Sequence, residues 1–109
     1  MSWSKFNMNI VHDSKKQEFR TDLGSYHAVL MYARHEKILD FYHIYVPDPF
    51  RNQGIAGKIL IRAFEYAKTE GFQVVASCPF ISDDFLKRFP QYQEIVRPGE
   101  FLFLHGKQS

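Results

Sequence analysis

The sequence predicts an α+β fold: a mixed, mostly antiparallel twisted sheet with one βαβ crossover and helices packed on the sheet. Three observations carry that expectation. The first half alternates strand-like apolar runs with tight-turn signals. After Val46-Pro47 the apolar spacing switches to a helical period, and a short β-rich run follows the helix.

The elements follow in order. Gln17–Thr21 is a short mixed strand, followed by the turn signal Asp22-Leu23-Gly24-Ser25. Tyr26–Arg34 is apolar on both faces, as a central strand is. His35-Glu36-Lys37 then turns the chain into a strand at Ile38–Val46, which completes an antiparallel meander. Pro47-Asp48-Pro49 ends that strand, because neither proline can donate to a ladder. From there Ile55, Ala56, Ile59, Leu60, Ala63, Phe64 and Ala67 recur at spacings of three and four, one stripe of a helix that Gly71 closes. The run from Phe72 to Ser77 reads as a strand parallel to Ile38–Val46, with a right-handed crossover between them. Ser82 or Asp83 caps a second helix, Asp83–Phe89, which Pro90 stops.

Composition narrows the function. At 109 residues, 45% hydrophobic and 17% aromatic, the chain reads as one packed domain, 1–109, with a core at about 17–96 and a tail at 97–109. Within the tail, Phe101-Leu102-Phe103-Leu104 is expected to add a strand, cover a face or contact another copy, so a monomer or weak homodimer is expected. The single cysteine, Cys78, excludes an internal disulfide framework, and no Cys/His spacing suits zinc, so no metal is expected. No apolar run reaches the roughly 18 residues of a membrane span, and the first residues lead into no signal-peptide core. A soluble, cytoplasmic protein without a membrane partner is the expectation. The net charge of +2 is spread over interleaved signs, and no aromatic RNA-binding run occurs, so no nucleic-acid partner is expected.

In a parallel βαβ unit both strands end at one edge of the sheet, where ligands of such sheets bind. Three features meet at that edge. The first is the loop-to-helix segment Arg51-Asn52-Gln53-Gly54-Ile55-Ala56-Gly57-Lys58. The first turn of a helix leaves backbone N–H groups unpaired, and small residues let a pyrophosphate approach them. Arg51 and Lys58 add positive charge. The segment is neither a Walker loop, which needs glycine at Asn52 and Ser or Thr at Ile59, nor a dinucleotide fingerprint, which needs glycine at Ala56 and Ile59. The second feature is Cys78, at a strand end just before a helix, where a thiol can be activated or can equally be a small buried hydrophobe. The third is His43, which shares a strand face with Tyr45; its imidazole suits proton transfer near neutral pH, and equally a structural hydrogen bond. His12, His27, His35 and His105 have no such neighbourhood.

Arg51-x-x-Gly54-x-Ala56 resembles the acetyl-CoA motif of the GNAT superfamily of N-acetyltransferases. The ordered set His43-Ile44-Tyr45-Val46-Pro47, Arg51–Ala56, Ser77-Cys78-Pro79-Phe80 and Pro90-Gln91-Tyr92 is similar to the short, single-domain YjdJ-like branch over about Gln17 to Val96. The resemblance implies a V-shaped opening between the two parallel strands and a reduced N-terminal helical region. It implies that acetyl-CoA enters that opening, with its pyrophosphate on the backbone of Gln53–Lys58 and its pantetheine arm along Val46 and the segment Cys78-Pro79-Phe80. Phe80 and Phe85 would pack against it. It implies Cys78 as an acyl acceptor or active-site residue. Tyr45 departs from the many branch members that carry an acid there, so the role of base shifts to His43, a water or a phenol. The expected reaction is acetyl transfer to a primary amine, of a small molecule or a protein lysine. A non-catalytic coenzyme A or acyl-CoA binding module is the alternative, and a protein interacting through its phenylalanine-rich tail is a third reading.

Overall fold

The computed structural model describes residues 9–98. Six strands, β1 (Ile10–Asp13), β2 (Glu18–Leu23), β3 (Tyr26–His35), β4 (Ile38–Tyr45), β5 (Gln73–Ala76) and β6 (Val96–Arg97), form one sheet in sequence order. β1 to β4 are an antiparallel meander, while β4, β5 and β6 run parallel. The expected mixed, mostly antiparallel sheet with helices packed on it is therefore the fold. Three features were not anticipated: β1, a second parallel pairing through β6, and a bulge in β4. The bulge lies where the register jumps from Tyr32↔Phe41 to Met31↔His43, leaving Tyr42 as an extra residue. The tail segment Phe101–Leu104 lies outside the described residues.

Helix α1 (Ile55–Glu70) connects β4 to β5. It buries Ile55, Ile59, Leu60, Ala63, Phe64 and Ala67, the predicted stripe except for Ala56, which is half-buried. Gly71 ends the helix, with its N–H shared between the carbonyls of Ala67 and Lys68. The stripe packs on one face of the sheet, where Phe64 meets Phe41 edge to face at 5.1 Å.

The second crossover carries helix α2, at 79–88, whose middle, Ile81–Phe85, is wound as a π turn. It starts earlier than the sequence suggests. The Cys78 carbonyl accepts from Ile81 N at 2.9 Å and Ser82 N at 3.2 Å, so the helix begins directly after Cys78 with Pro79 in its first turn. Proline's fixed φ suits that position, and neither Ser82 nor Asp83 is the cap. A 3-10 segment, Pro90–Ile95, then carries Tyr92 onto the same core. Phe85 and Tyr92 stack on Phe64 at 5.5 and 5.0 Å, so both helices lie on one side of the sheet. The Tyr92 hydroxyl donates to Glu65 Oε2 at 2.7 Å, and burial followed by that bond pushes its pKa up to about 12.

The far end of the same face is closed by His12. Its ring stacks on Phe19 at 4.1 Å, meets Tyr66 edge-on at 4.4 Å, and its Nε2 lies 2.6 Å from the Tyr32 hydroxyl. Burial first, and then the charge of Arg62, lower its pKa below 6.5, with Asp13 opposing. A histidine held neutral in the fold gives stability that is complete above the unfolded value and is lost as pH falls toward the depressed folded value. The expected outcome is a melting temperature that falls between pH 7.5 and 5.5 more steeply in the wild type than in His12→Gln. Thermal melts of both proteins across that range check it, and equal slopes would rule out the assignment.

Candidate functional site

The parallel pairing of β4 with β5 runs only from Ile38–Gln73 to Phe41–Ala76, whereas β4 continues to Tyr45. At the last pair the Phe41 carbonyl accepts two amides in succession, Ser77 N at 3.2 Å and Cys78 N at 3.3 Å. Beyond it the strands part. A cleft of about 730 Å³ occupies the opening, bounded by Ile44, Tyr45 and Val46 of the β4 end and by Cys78 and Phe80 opposite.

The loop from β4 into α1 forms the cleft's third wall. Pro47 starts a 3-10 turn, Asp48–Phe50, closed by Phe50 N on the Pro47 carbonyl at 2.9 Å. Arg51 is tied down twice: its Nε donates to the Val46 carbonyl at 2.9 Å, and one terminal nitrogen pairs with Asp48 at 2.8 Å. Asn52 and Gly54 both have positive φ, 64° and 79°, which turn the chain sharply into the helix. No side chain caps that start. Lys58 N is the first amide bonded within the helix, to the Gly54 carbonyl at 3.1 Å, so the amides of the turn before it face the cleft's end without an intrahelical acceptor. A Cβ built at Gly54 or Gly57 meets no atom within 4 Å, which leaves room for a bulky anion beside those amides.

Of the residues singled out in the sequence, Val46, Arg51, Asn52, Gly54, Ile55, Ala56, Gly57, Cys78 and Phe80 line this cleft. The remaining five do not. Gln53 turns its side-chain amide back to the Pro49 carbonyl at 3.3 Å. Lys58 has its own amide committed to the helix, which shortens the expected amide cradle by one residue. Pro79 starts α2. Phe85 is fully buried, stacked between Phe64 and Phe89 at 5.5 and 4.8 Å, so it is core and not a cleft wall. His43 is exposed on the sheet face away from the helices.

Four cleft residues escaped the sequence reading: Ile44, Phe50, Asp84 and Arg88. Phe50 is held by Tyr26 edge to face at 5.5 Å. Asp84 and Arg88, one helical turn apart, form an ion pair at 3.3 Å. That i,i+4 spacing was visible in the sequence, but the face it lies on was not. Cys78 is half-buried, and among the described residues no hydrogen bond or ion pair engages its Sγ.

A strand that parts from its parallel neighbour beside an uncapped helix start opens main-chain amides to an anionic ligand at the sheet's edge. Residues 18–95 match the family described as GCN5-related N-acetyl-transferase, and the chain belongs to that family. It is 32% identical over 97 residues to Protein NATD1 of Xenopus tropicalis, with 84% of this chain and 88% of that protein covered. It is 30% identical over 96 residues to the human Protein NATD1, covering 84% of each. A GCN5-like protein from Staphylococcus aureus, solved by NMR, shares the fold with a TM-score of 0.66 at 22% identity, over 84% of this chain and 90% of that one. The family fold carries an acetyl-CoA pocket and points to acyltransferase chemistry. Among the described residues no group of three or more His, Cys, Asp or Glu side chains is placed to hold a metal, and no helix is long and apolar enough to cross a membrane.

The two glycines of the helix start respond oppositely to substitution. Gly54→Ala forces a side chain into a left-handed conformation and is expected to destabilise the fold by about 1–2 kcal/mol. Gly57→Ala sits in helical backbone with free space around it and is expected to stabilise by about 0.5–1 kcal/mol. Urea unfolding of the two variants, ligand-free, checks the opposite signs.

Proposed function

We propose that the protein is an acetyl-CoA-dependent N-acetyltransferase that transfers the acetyl group to a primary amine. What carries this reading is the convergence of α1's uncapped amides, the stretch of β4 that has left β5, and Cys78 on one cleft. The ordered Val46-Pro47, Arg51–Ala56 and Cys78-Pro79-Phe80 segments support placing it in the short YjdJ-like branch.

Acetyl-CoA fits the walls. Its pyrophosphate seats on the amides from Gly54 to Gly57, where the helix dipole contributes about half a positive charge. The arm then runs between the β4 end and Cys78, with Phe80, 36% exposed, against it. The edge of β4 beyond Phe41 no longer pairs with β5 and offers main-chain N–H groups to the thioester carbonyl. One such donor contributes about 3–4 kcal/mol to lowering an acyl-transfer barrier.

In the reaction the amine nitrogen attacks the thioester carbonyl carbon, and the carbon–sulfur bond breaks. The thiolate of coenzyme A leaves and takes up a proton, while the attacking nitrogen loses one to His43 and then to water. Direct attack is favoured over an acyl-enzyme, because no base among the described residues is bonded to the Cys78 thiol to activate it. Cys78 then serves as a wall of the arm's channel.

Saturating acetyl-CoA is expected to raise the melting temperature of the wild type. The rise should be smaller in Gly57→Ala, although that variant starts out more stable. In the same mixtures, mass spectrometry of an amine panel is expected to show acetylated product, with Cys78→Ala retaining most of the turnover. A thermal shift without any acetylated amine would identify a non-catalytic acyl-CoA binding module instead. No shift at all would sink both readings.

A second outcome separates the two routes. Intact mass of the wild type, incubated with acetyl-CoA and no amine, is expected to show no added acetyl group. A stoichiometric adduct lost in Cys78→Ala would replace direct attack with a two-step transfer.

A further inference from the structure

The sheet face turned away from the helices carries polar groups that the cofactor cleft does not use. The register defines that face. Ala33 opposes Asp40, Met31 opposes His43 and Val29 opposes Tyr45, and these three β3 residues alternate with the buried Ala28, Leu30 and Tyr32. Asp40, His43 and Tyr45 thus share one face although Asp40 and His43 are an odd number of residues apart. In a regular strand they would point to opposite faces. The extra residue at Tyr42 shifts the alternation and brings them together, about 7 Å apart along the strand.

Asp40 is fixed at the point where β4 and β5 part. Its Oδ1 accepts the Ser77 hydroxyl at 2.6 Å, and the Ser77 amide is one of the two on the Phe41 carbonyl. The hydroxyl occupies one position on the carboxylate and leaves the other oxygen able to accept. Among the described residues no Lys, Arg or His pairs with Asp40, whereas the acids on the cofactor side, Asp48 and Asp84, are each tied to an arginine. The parted strands connect the two sides, since the cleft takes in Ile44 from the helix face and Tyr45 from the opposite one.

We propose that Asp40, positioned by Ser77, is the recognition site for the acceptor's ammonium group, so that acceptors are alkylammonium compounds entering from the face opposite α1 and α2. This rests on the transferase reading above. A carboxylate is a far weaker base than an alkylamine, so the proton of a bound alkylammonium stays on nitrogen. Asp40 therefore binds and orients the cation through a charge-assisted hydrogen bond, and the proton leaves through His43 on the same face.

Steady-state kinetics of the full chain test this, with acetyl-CoA and 1,5-diaminopentane or lysine amide as acceptors. Asp40→Asn keeps the shape and the Ser77 contact but removes the charge. It is expected to lower kcat/KM for both amines about 10- to 100-fold, mainly through the amine's KM. The KM for acetyl-CoA and its thermal shift should stay within about twofold of wild type, and Asp40→Glu should recover part of the loss. Unchanged amine kinetics in Asp40→Asn, or an equal rise in the acetyl-CoA KM, would overturn the subsite while leaving the transferase standing. A wild type that binds acetyl-CoA but acetylates no amine would remove the transferase reading and the subsite with it.

Discussion

The Phe41 carbonyl oxygen accepts hydrogen bonds from both Ser77 N and Cys78 N, and the site is built around that shared acceptor. In a regular parallel ladder the acceptors advance along the neighbouring strand as the donors do. Here the second amide returns to the same oxygen, so β5 stops advancing and turns into α2. The neighbouring strand meanwhile continues to Tyr45, with its bulge at Tyr42 adding twist where the partner leaves. The gap that results is held open by the two crossovers, which pull both helices to one side. Their aromatic cluster, with Phe41 edge-on to Phe64 and Phe64 stacked with Phe85 and Tyr92, ties the strands' departure to the core.

Charge in the cleft is arranged less simply than its composition suggests. Both arginines that line it already pair with a neighbouring acid, Arg51 with Asp48 and Arg88 with Asp84. Exposed pairs of this kind are individually weak, but they hold the guanidinium groups in place and reduce their net field. The feature left with unanswered positive character is the main chain at the start of α1, where no side chain caps the helix. An anion seated there replaces water on groups that cannot satisfy one another. That favours main-chain geometry, with its dependence on Gly54 and Gly57, over side-chain charge as the source of cofactor affinity.

What could be read from the sequence follows from the range of the interactions involved. The stripe of α1 and the breaks at Pro47 and Gly71 are local consequences of side-chain spacing and backbone restriction, so they were legible. With a strand on either side, the same local signals located the crossover, and from it the edge where Val46, the Gly54–Gly57 turn and Cys78 converge. The bulge was not legible, because Tyr42 is ordinary strand sequence and becomes an insertion only against its partner Met31–Tyr32. His43 does share a face with Tyr45, as strand alternation predicts, but the presence of Asp40 on that face depends on the bulge. The family resemblance implied Phe85 as a cofactor contact. The early start of α2 at Pro79 and its π turn instead rotate Phe85 into the core and leave Asp84 and Arg88 on the cleft. β6 is two residues long and paired only through tertiary context, too short to leave a pattern.

A sheet that opens between two strands can serve two ligands at once, and this bears on the route of transfer. A two-step path through Cys78 needs one pocket, used in turn by donor and acceptor, and an activated thiol. A direct path needs both ligands present together, reaching one carbon from different directions. In this chain the amides and arginines gather on the helix side, while Asp40, His43 and Ser77 lie on the other, and the parted strands between them remove the backbone that would otherwise block the approach. The thiol of Cys78 has no base bonded to it among the described residues. On the transferase reading proposed above, this division across the sheet favours the simultaneous arrangement, and the bulge in β4 is what places Asp40 on the same face as His43 and Tyr45.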